Sequence, residues 1–302
     1  MNFDLHGQVA IVTGAGRGLG RSHALALAAR GARVVVNDLA ERGEESESAR
    51  AVVREIRGKG GTAIATGANV SDFEQVESML DAVVAKWGRV DILVNNAGIL
   101  RDKTFSKMSI DDFRLVIDVH LMGSVNCTKA VWATMCQQNY GRIVLTTSSS
   151  GLYGNFGQSN YGAAKMAMLG FMNTLHLEGK KYNIRVNCLA PTAGTAMTKG
   201  LFPDAVFELM TPDSVSPAVV FLCALDAPSR KVVAAGGGSF AVYKGFETEG
   251  LSLAPENVSA EGIAAAWEAI NAEAGMRELG SGFEQPTKFA MQAAQKLGLD
   301  LT

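Results

Sequence analysis

The stretch QVAIVTGAGRGLG, residues 8–20, joins a short apolar run to a glycine-rich turn. The run VAIVT predicts a buried strand. The turn is predicted to open a helix that runs through Ala24 to Ala29. Glycines between a strand and a helix let the backbone approach a pyrophosphate, and the free N–H groups at the helix start donate to it. The position of this loop therefore favours a dinucleotide-binding turn over the alternative, a simple tight turn.

Other β-branched runs recur along the chain between segments of helical period. This alternation is typical of βαβ units. It predicts an α/β fold, a doubly wound parallel sheet of about seven strands with helices on both faces. The further runs are residues 33–37, 62–66, 91–95, 142–147 and 183–190, and AAGGGSFAVYKG (234–245) is the predicted last strand.

The end of the chain differs in composition from the rest. Residues 251–302 are rich in alanine and lack strand-like runs, so they predict a mainly helical extension. We expect residues 1–250 to form the sheet-containing domain. The extension is expected to pack on that domain or on a partner subunit.

The composition excludes several classes of protein. With 302 residues, 19% of them charged, and a net charge of −2, the chain has no basic footprint for nucleic acid. It has no apolar run long enough to span a membrane. The four cysteines have neither disulfide-framework nor metal-ligand spacing, so we expect a reducing compartment and no metal. Without a signal segment or a terminal peroxisomal address, the sequence predicts a cytoplasmic protein.

A carboxylate and a guanidinium give opposite indications about the cofactor. Asp38 ends the second predicted strand, where its oxygens can accept from both hydroxyls of an adenosine ribose and would repel a 2′-phosphate. Arg17, inside the glycine loop, could instead reach that phosphate. We weight Asp38 more heavily because a phosphate beside a poorly solvated carboxylate costs several kcal/mol. The sequence therefore favours NAD and leaves NADP as the alternative.

The stretch NYGAAK, residues 160–165, places a phenol and an ammonium four positions apart, on one face of a helix. A positive charge about 4 Å from a phenol is worth on the order of 4 kcal/mol, so we expect Lys165 to lower the pKa of Tyr161 toward neutrality. Ser148, thirteen residues before Tyr161, ends a predicted strand and can hold a substrate oxygen beside the phenol. The pattern leaves the choice within serines 148–150 open. The alternative is that they cap a helix while the other two form a surface pair.

Three motifs in order, TGAGRGLG (13–20), NNAG (95–98) and YGAAK (161–165), resemble the short-chain dehydrogenase/reductase superfamily from about residue 7 to 225. The resemblance implies a Rossmann-type fold and an NAD(P)-dependent oxidoreductase. It makes Ser148, Tyr161 and Lys165 the expected catalytic residues. It implies cofactor contacts by Gly14, Gly18, Leu19, Gly20, Asn69, Val70, Asn96, Ala97, Gly98, Tyr161, Lys165 and Pro191, besides Arg17 and Asp38.

Several longer segments are similar to the dehydrogenase branch of the peroxisomal multifunctional β-oxidation enzymes. Among them are NNAGILRDKTF, QNYGRIVLTTSSSGLYGNFGQSNYGAAK and LAPTAGTAMT. That resemblance favours Ser148 over its neighbours and implies oxidation of (3R)-hydroxyacyl-CoA to 3-oxoacyl-CoA with NAD. The alternatives are an NADP-dependent 3-oxoacyl-thioester or steroid reductase, and a non-catalytic nucleotide-binding regulator.

This chain departs from the superfamily pattern at two positions, and the resemblance also implies how subunits would assemble. His120 stands where most members have an asparagine in a proton relay, and either ring nitrogen of a histidine could pass a proton; the alternative is a structural histidine. Pro191 is followed by Thr192, where the superfamily has a proline–glycine turn at the nicotinamide. By analogy we expect a substrate lid over residues 197–210. A homo-oligomer, with a dimer favoured, is expected to pair through helices near 109–136 and 159–180.

Overall fold

The β-branched runs form the strands of one sheet in the computed structural model, which describes residues 2–41, 44–195 and 203–299. The strands are β1 Val9–Thr13, β2 Arg33–Asn37, β3 Thr62–Thr66, β4 Ile92–Asn95, β5 Gly141–Thr146, β6 Ile184–Pro191, β7 Val232–Gly236 and β8 Ser239–Tyr243. Their order in the sheet is β3-β2-β1-β4-β5-β6-β7-β8. The predicted α/β class is therefore confirmed.

Neighbouring strands from β3 to β7 pair in parallel, and β1 lies between β2 and β4. Ala10 of β1, for example, is in register with Val34 and with Ile92. The chain order reverses between β1 and β4, and a crevice opens beyond the carboxyl ends of the strands at such a point. Thr13 and Asn95 end these two strands, so the glycine loop and the NNAG segment meet there.

Helices cover the sheet and connect its strands, as parallel pairing requires. The helix Phe73–Trp87 shows how the sequence sets the bounds: Asp72 accepts a hydrogen bond from the backbone of Gln75, and Gly88 ends the helix with φ 74°. The helices are α1 Gly18–Ala28, α2 Glu47–Gly58, α3 Phe73–Trp87, α4 Ile110–Ile117, α5 Gly123–Gln137, α6 Ser149–Tyr153, α7 Ser159–Gly179, α8 Asp204–Leu209, α9 Ser216–Cys223, α10 Ala260–Ala265, α11 Trp267–Ile270 and α12 Glu284–Leu297. Across the described ranges, none is long and apolar enough to cross a bilayer.

The segment predicted as one last strand forms two strands instead. β7 and β8 are separated by Gly237 and Gly238, whose φ angles are 56° and 77°. A two-residue hairpin turn with positive φ at both positions suits glycine best. The sheet therefore has eight strands among the described residues, where about seven were predicted.

The chain divides into two compact units, Met1–Val242 and Tyr243–Thr302. In the second unit, α10, α11 and α12 give the helical character predicted for the extension. Its buried Lys288 donates to the backbone oxygen of Thr248 and to the Glu247 carboxylate. The domain boundary at residue 250 stays a prediction.

A buried histidine in α1 makes the first unit sensitive to acid. His23 is fully buried, and its Nδ1 lies 2.8 Å from Ser216 Oγ of α9. Ser22 donates to Asp213 at 2.6 Å beside it. Burial lowers the pKa of His23 from 6.5 to about 3, because a charged imidazole would lose its hydration there.

Acidification should therefore lower the free energy of unfolding. The unfolded chain binds a proton at His23 near pH 6.5 and the folded chain near pH 3, so stability falls as the pH falls through that window. One such histidine contributes at most about 1.4 kcal/mol per pH unit. Urea unfolding at several pH values should give a shallower slope for His23→Asn than for the wild type. The exposed His6, changed to Asn, is the control, and equal slopes for wild type and His23→Asn would refute the assignment.

Candidate active site

The glycine loop and the NNAG segment lie against each other at the crevice. A Cβ on Gly14 would lie 2.8 Å from Ala97 Cα, and one on Gly20 would lie 2.2 Å from the oxygen of Gly14. Gly14 also has φ 61°. Both contacts are too close for a side chain, so glycine is required at both positions for the loop and the NNAG segment to pack this closely.

Side chains of the loop and the NNAG segment bond directly to the facing backbone. Asn96 Nδ2 donates to the oxygens of Thr13 and Gly14 at 2.9 and 3.1 Å. Thr13 Oγ1 in turn accepts from the backbone nitrogens of Asn96 and Ala97, each at 3.0 Å. These bonds hold Asn96 and Ala97, which the resemblance places on the cofactor side, against the glycine loop.

The other residues expected near a cofactor differ in what their side chains do. Leu19 packs against the hydrophobic core, so its contribution to the loop is its backbone. Arg17, which precedes α1, is exposed. The oxygen of Val70 accepts from Asn126 Nδ2 at 2.9 Å, and Asn69 Oδ1 accepts from the backbone of Ser71. The predicted adenine flank is thus a braced turn after β3.

Asp38 lies just beyond β2, beside the glycine loop. Its Oδ2 accepts from the backbone nitrogen of Gly16 and from Ser48 Oγ, both at 3.0 Å. Its Oδ1 accepts from the backbone of Leu39 at 3.0 Å. The structure therefore brings the Asp38 carboxylate to the glycine loop that was predicted to hold a pyrophosphate. It also brings Ser48 to this carboxylate, a contact that the sequence did not indicate.

Ser148, Tyr161 and Lys165 come together where β5 ends. Ser148 caps α6 and accepts from the backbone of Ser150 at 3.2 Å. In α7, Lys165 Nζ lies 5.6 Å from the centroid of the Tyr161 ring and donates to the oxygen of Thr146 at 2.6 Å. The surface-pair alternative fails, because Lys165 is buried.

The electrostatics of this cluster differ from the expectation. Burial raises the pKa of Tyr161, a hydrogen bond with Ser148 lowers it in part, and the Asp102 charge raises it further. Burial also lowers the pKa of Lys165 from 10.5 to about 7. The predicted lowering of the Tyr161 pKa by Lys165 is therefore wrong, since desolvation disfavours the charged form of both groups.

His120 lies in a π-helical turn, Asp118–Met122, between α4 and α5. Its ring meets that of Tyr161 edge to face, with centroids 5.1 Å apart. Nε2 lies 2.8 Å from the oxygen and 3.1 Å from the nitrogen of Ile99. Nδ1 is buried and has no hydrogen-bond partner within the described residues, and burial lowers the pKa of this histidine to about 3. A neutral imidazole therefore keeps one polar atom available.

Two further predicted positions take part in backbone packing. A Cβ on Gly98 would lie 2.2 Å from His120 Cε1, so this glycine admits the imidazole. Pro191 ends β6, and the nitrogen of Thr192 donates to the oxygen of Ala235 at 2.8 Å. The chain after Pro191 thus continues bonding to the neighbouring strand. Of the predicted lid, residues 197–202 lie outside the described residues.

The start of α7 is tied to the loop after NNAG, which the sequence analysis also missed. Gln158 Nε2 donates to Asp102 Oδ2 at 2.7 Å, and Asn160 Nδ2 donates to the oxygen of Arg101 at 3.1 Å. The backbone nitrogen of Lys103 donates to the oxygen of Gly157 at 2.9 Å. The available signal was the pair of amide side chains at the start of this helix, Gln158 just before α7 and Asn160 as the first residue of NYGAAK.

The arrangement fits a nicotinamide dinucleotide. Gly14 and Gly20 let the glycine loop pack closely against its own backbone and the NNAG segment at the start of α1, where backbone donors suit a pyrophosphate. The Asp38 carboxylate lies beside this loop, and Nδ1 of His120, which lacks a hydrogen-bond partner among the described residues, marks a polar position near Tyr161. These residues can hold a cofactor beside a phenol and an ammonium.

Comparison with known sequences agrees with this geometry. The short chain dehydrogenase family matches residues 8–205. The mouse peroxisomal multifunctional enzyme type 2 is 49% identical over 227 residues, which cover 74% of this chain and 30% of that protein. A short-chain type dehydrogenase/reductase of Mycobacterium tuberculosis is 45% identical over 278 residues, covering 90% of this chain and 97% of that protein. A 3-oxoacyl-[acyl-carrier-protein] reductase of Synechocystis is 42% identical, covering 72% and 90%.

Solved structures give the same assignment. The full-length peroxisomal multifunctional enzyme type 2 of Drosophila melanogaster superposes with a TM-score of 0.80 at 35% identity, over 97% of this chain and 50% of that one. A 7α-hydroxysteroid dehydrogenase in complex with NADH and 7-oxo glycochenodeoxycholic acid superposes with a TM-score of 0.72 at 30% identity, over 79% and 96%. This chain thus spans less than a third of the mouse multifunctional enzyme and half of the Drosophila one. It belongs to the short-chain dehydrogenase/reductase family, whose members use NAD or NADP to interconvert CH–OH groups and carbonyls.

Proposed function

We propose that this chain is an NAD-dependent dehydrogenase that oxidises (3R)-hydroxyacyl-CoA to 3-oxoacyl-CoA. The observation that carries the proposal is the convergence of Ser148, Tyr161 and Lys165 at the crevice that Asp38 also faces. The segment-by-segment resemblance to the multifunctional β-oxidation branch supports the acyl-CoA class. The Synechocystis relative is named as a 3-oxoacyl-[acyl-carrier-protein] reductase, and this name supports a substrate that is an acyl thioester with its reacting oxygen on C3.

In the proposed mechanism Ser148 donates a hydrogen bond to the substrate oxygen and holds it beside the phenol. Tyr161 acts as the general base in its phenolate form and takes the hydroxyl proton as the C3 hydride leaves. The nicotinamide, when bound, supplies the hydride acceptor. Lys165 holds a proton near the phenol, and with a pKa of about 7 it can gain or lose that proton at neutral pH.

His120 extends the proposed proton path. Because Nε2 bonds to the peptide of Ile99, Nδ1 is the ring atom left to exchange hydrogen bonds with a water or a donor. The low pKa keeps the ring neutral at physiological pH, so it can orient a proton carrier without repelling a charged Lys165. His120 is held within the π-helical turn Asp118–Met122.

The second candidate is an NADP-dependent reductase of a 3-oxoacyl thioester. The exposed Arg17 in the glycine loop favours it, because a guanidinium can pair with a 2′-phosphate, and so does the name of the Synechocystis relative. Asp38 opposes it by charge repulsion at the same place. We therefore rank NAD first.

A substrate panel tests the proposal. Purified protein is supplied with (3R)- and (3S)-hydroxyacyl-CoA esters of several chain lengths, each with NAD and with NADP, and the formation of reduced nicotinamide is followed by absorbance. We expect turnover of the (3R) series with NAD. Inactivity on every ester would refute the substrate class, and a clear preference for NADP would favour the second candidate.

We also propose that the chain forms a homodimer and acts in the cytoplasm. Apolar side chains on the helices expected to pair are exposed, among them Leu115, Met122, Met166 and Leu177, and burial in an interface would remove them from water. The free cysteine thiols suit a reducing compartment. Light scattering coupled to size exclusion measures the mass of the assembly, and a monomer at micromolar concentration would refute the dimer.

A further inference from the structure

We propose that Ser48 is a specificity-determining residue for the cofactor: its hydroxyl fixes the Asp38 carboxylate beside Gly16 and thereby sets the preference for NAD over NADP. The proposal rests on the function proposed above, since it assumes that Asp38 faces the adenosine ribose. It concerns a residue of α2, outside the glycine loop and the catalytic cluster.

The hydrogen bonds around Ser48 have a defined direction. Asp38 Oδ2 lies 3.0 Å from Ser48 Oγ and, as an ionised carboxylate, can accept but not donate. The single hydroxyl proton of Ser48 is therefore used in this bond. Ser46 Oγ lies 2.8 Å from Ser48 Oγ, so Ser46 must be the donor to Ser48. The result is a one-way chain from the buried Ser46 through Ser48 to Asp38.

The local geometry holds the carboxylate in one position before any ligand arrives. Gly16 N and Ser48 Oγ donate to Oδ2, and Leu39 N donates to Oδ1. These bonds use three of the roughly four acceptor sites of a carboxylate. The remaining capacity lies on Oδ1, where a ribose hydroxyl can donate. Preorganisation of this kind reduces the entropy lost on binding.

Gly16 supplies a second, independent observation. A Cβ at this position would lie 2.1 Å from Asp38 Oδ2 and 2.2 Å from Ser48 Oγ. The carboxylate and the hydroxyl therefore fill the space above the loop, and no side chain fits at residue 16 without displacing them. A 2′-phosphate would need to enter this region against the same carboxylate, and the Ser48 bond prevents Asp38 from rotating away.

Loss of the hydroxyl should have two linked effects. Asp38 gains rotational freedom, so the affinity for NAD should fall about tenfold, in line with one hydrogen bond to a charged group. A mobile carboxylate excludes a phosphate less well, so the ratio of the NADP to the NAD dissociation constant should fall by about the same factor.

Calorimetric titration of the purified chain with NAD and with NADP, without substrate, tests the proposal. Ser48→Thr and Ser48→Val form a matched pair, because the two side chains have the same shape and only threonine keeps the hydroxyl. We expect Ser48→Thr to keep the wild-type ratio and Ser48→Val to lose most of it. Ser48→Ala is the smaller variant, and circular dichroism verifies that each protein is folded.

A double-mutant cycle separates action through Asp38 from a general effect on α2. In an Asp38→Asn background, removal of the Ser48 hydroxyl should leave the ratio unchanged. An unchanged ratio in Ser48→Val and Ser48→Ala would overturn the role of Ser48 while leaving the preference for NAD intact. Tighter binding of NADP than NAD by the wild type would overturn both this inference and the proposed cofactor, so the two failures are distinguishable.

Discussion

Tyr161→Phe should lower kcat by about a thousandfold, the middle of the range for a lost general acid or base, and should change the dissociation constant for NAD by less than about threefold. The phenol is the group beside both Ser148 and Lys165, and phenylalanine keeps its shape without the transferable proton. The ring packs edge to face against His120, so the substitution preserves the packing. Steady-state kinetics with the best (3R)-hydroxyacyl-CoA and titration with NAD measure the two quantities.

Tyr153→Phe is the matched control for this substitution. Tyr153 ends α6, only a short distance along the chain from Tyr161, but 73% of its surface is exposed. Its loss should leave kcat within about twofold of the wild type. If Tyr161→Phe kept more than about a tenth of the wild-type kcat, the proposed general base would be wrong.

The strands were largely predictable from the sequence because the sheet from β3 to β7 is parallel and its inner strands β1, β4 and β5 are buried on both faces. Such strands consist of near-continuous apolar, β-branched runs. The run RVVVN coincides with β2, Arg33–Asn37, and TAIAT coincides with β3, Thr62–Thr66. The hairpin of β7 and β8 was not predicted, because the glycines between them read equally well as flanks of one strand.

The candidate site was predictable where a motif lies at the end of a strand. Parallel strands bring their carboxyl ends to one edge, so Ser148 and Asp38 were expected at the crevice. The tie between Gln158 and Asp102 joins two loops 56 positions apart, and no periodicity links them. The pKa of Tyr161 was misjudged because Coulomb attraction was considered without the desolvation of both partners.

Arg142 was overlooked for a similar reason, since it begins a run that otherwise predicts a plain buried strand. Its guanidinium is fully buried and donates to four backbone oxygens at 2.6–3.0 Å. The cation also lies 4.1 Å from the centroid of the Tyr140 ring. These bonds join the start of β5 to the turn before β6 and to the end of α9. The acceptors are the oxygens of Gly141, Asn183, Ala224 and Leu225.

Arg142→Met should lower the free energy of unfolding by about 3–5 kcal/mol. Removing the charge also removes its desolvation penalty, but four oxygens lose a charged donor. The oxygens of Ala224 and Asn183 keep a backbone donor, whereas a buried oxygen left without any donor costs about 1–3 kcal/mol. Arg142→Lys should recover only part of the loss, because a compact ammonium cannot reproduce the planar fork. Urea unfolding at neutral pH measures the change.

Arg54→Met is the control for this second prediction. Arg54 lies on α2, where its exposed guanidinium pairs with Glu47 Oε1 at 2.8 Å. An exposed pair of this kind contributes little because water and salt screen it, so the control should unfold at nearly the wild-type midpoint. A loss below about 1 kcal/mol in Arg142→Met would mean that water enters and satisfies the oxygens. The guanidinium would then be replaceable, and the junction of β5, β6 and α9 would depend on apolar packing instead.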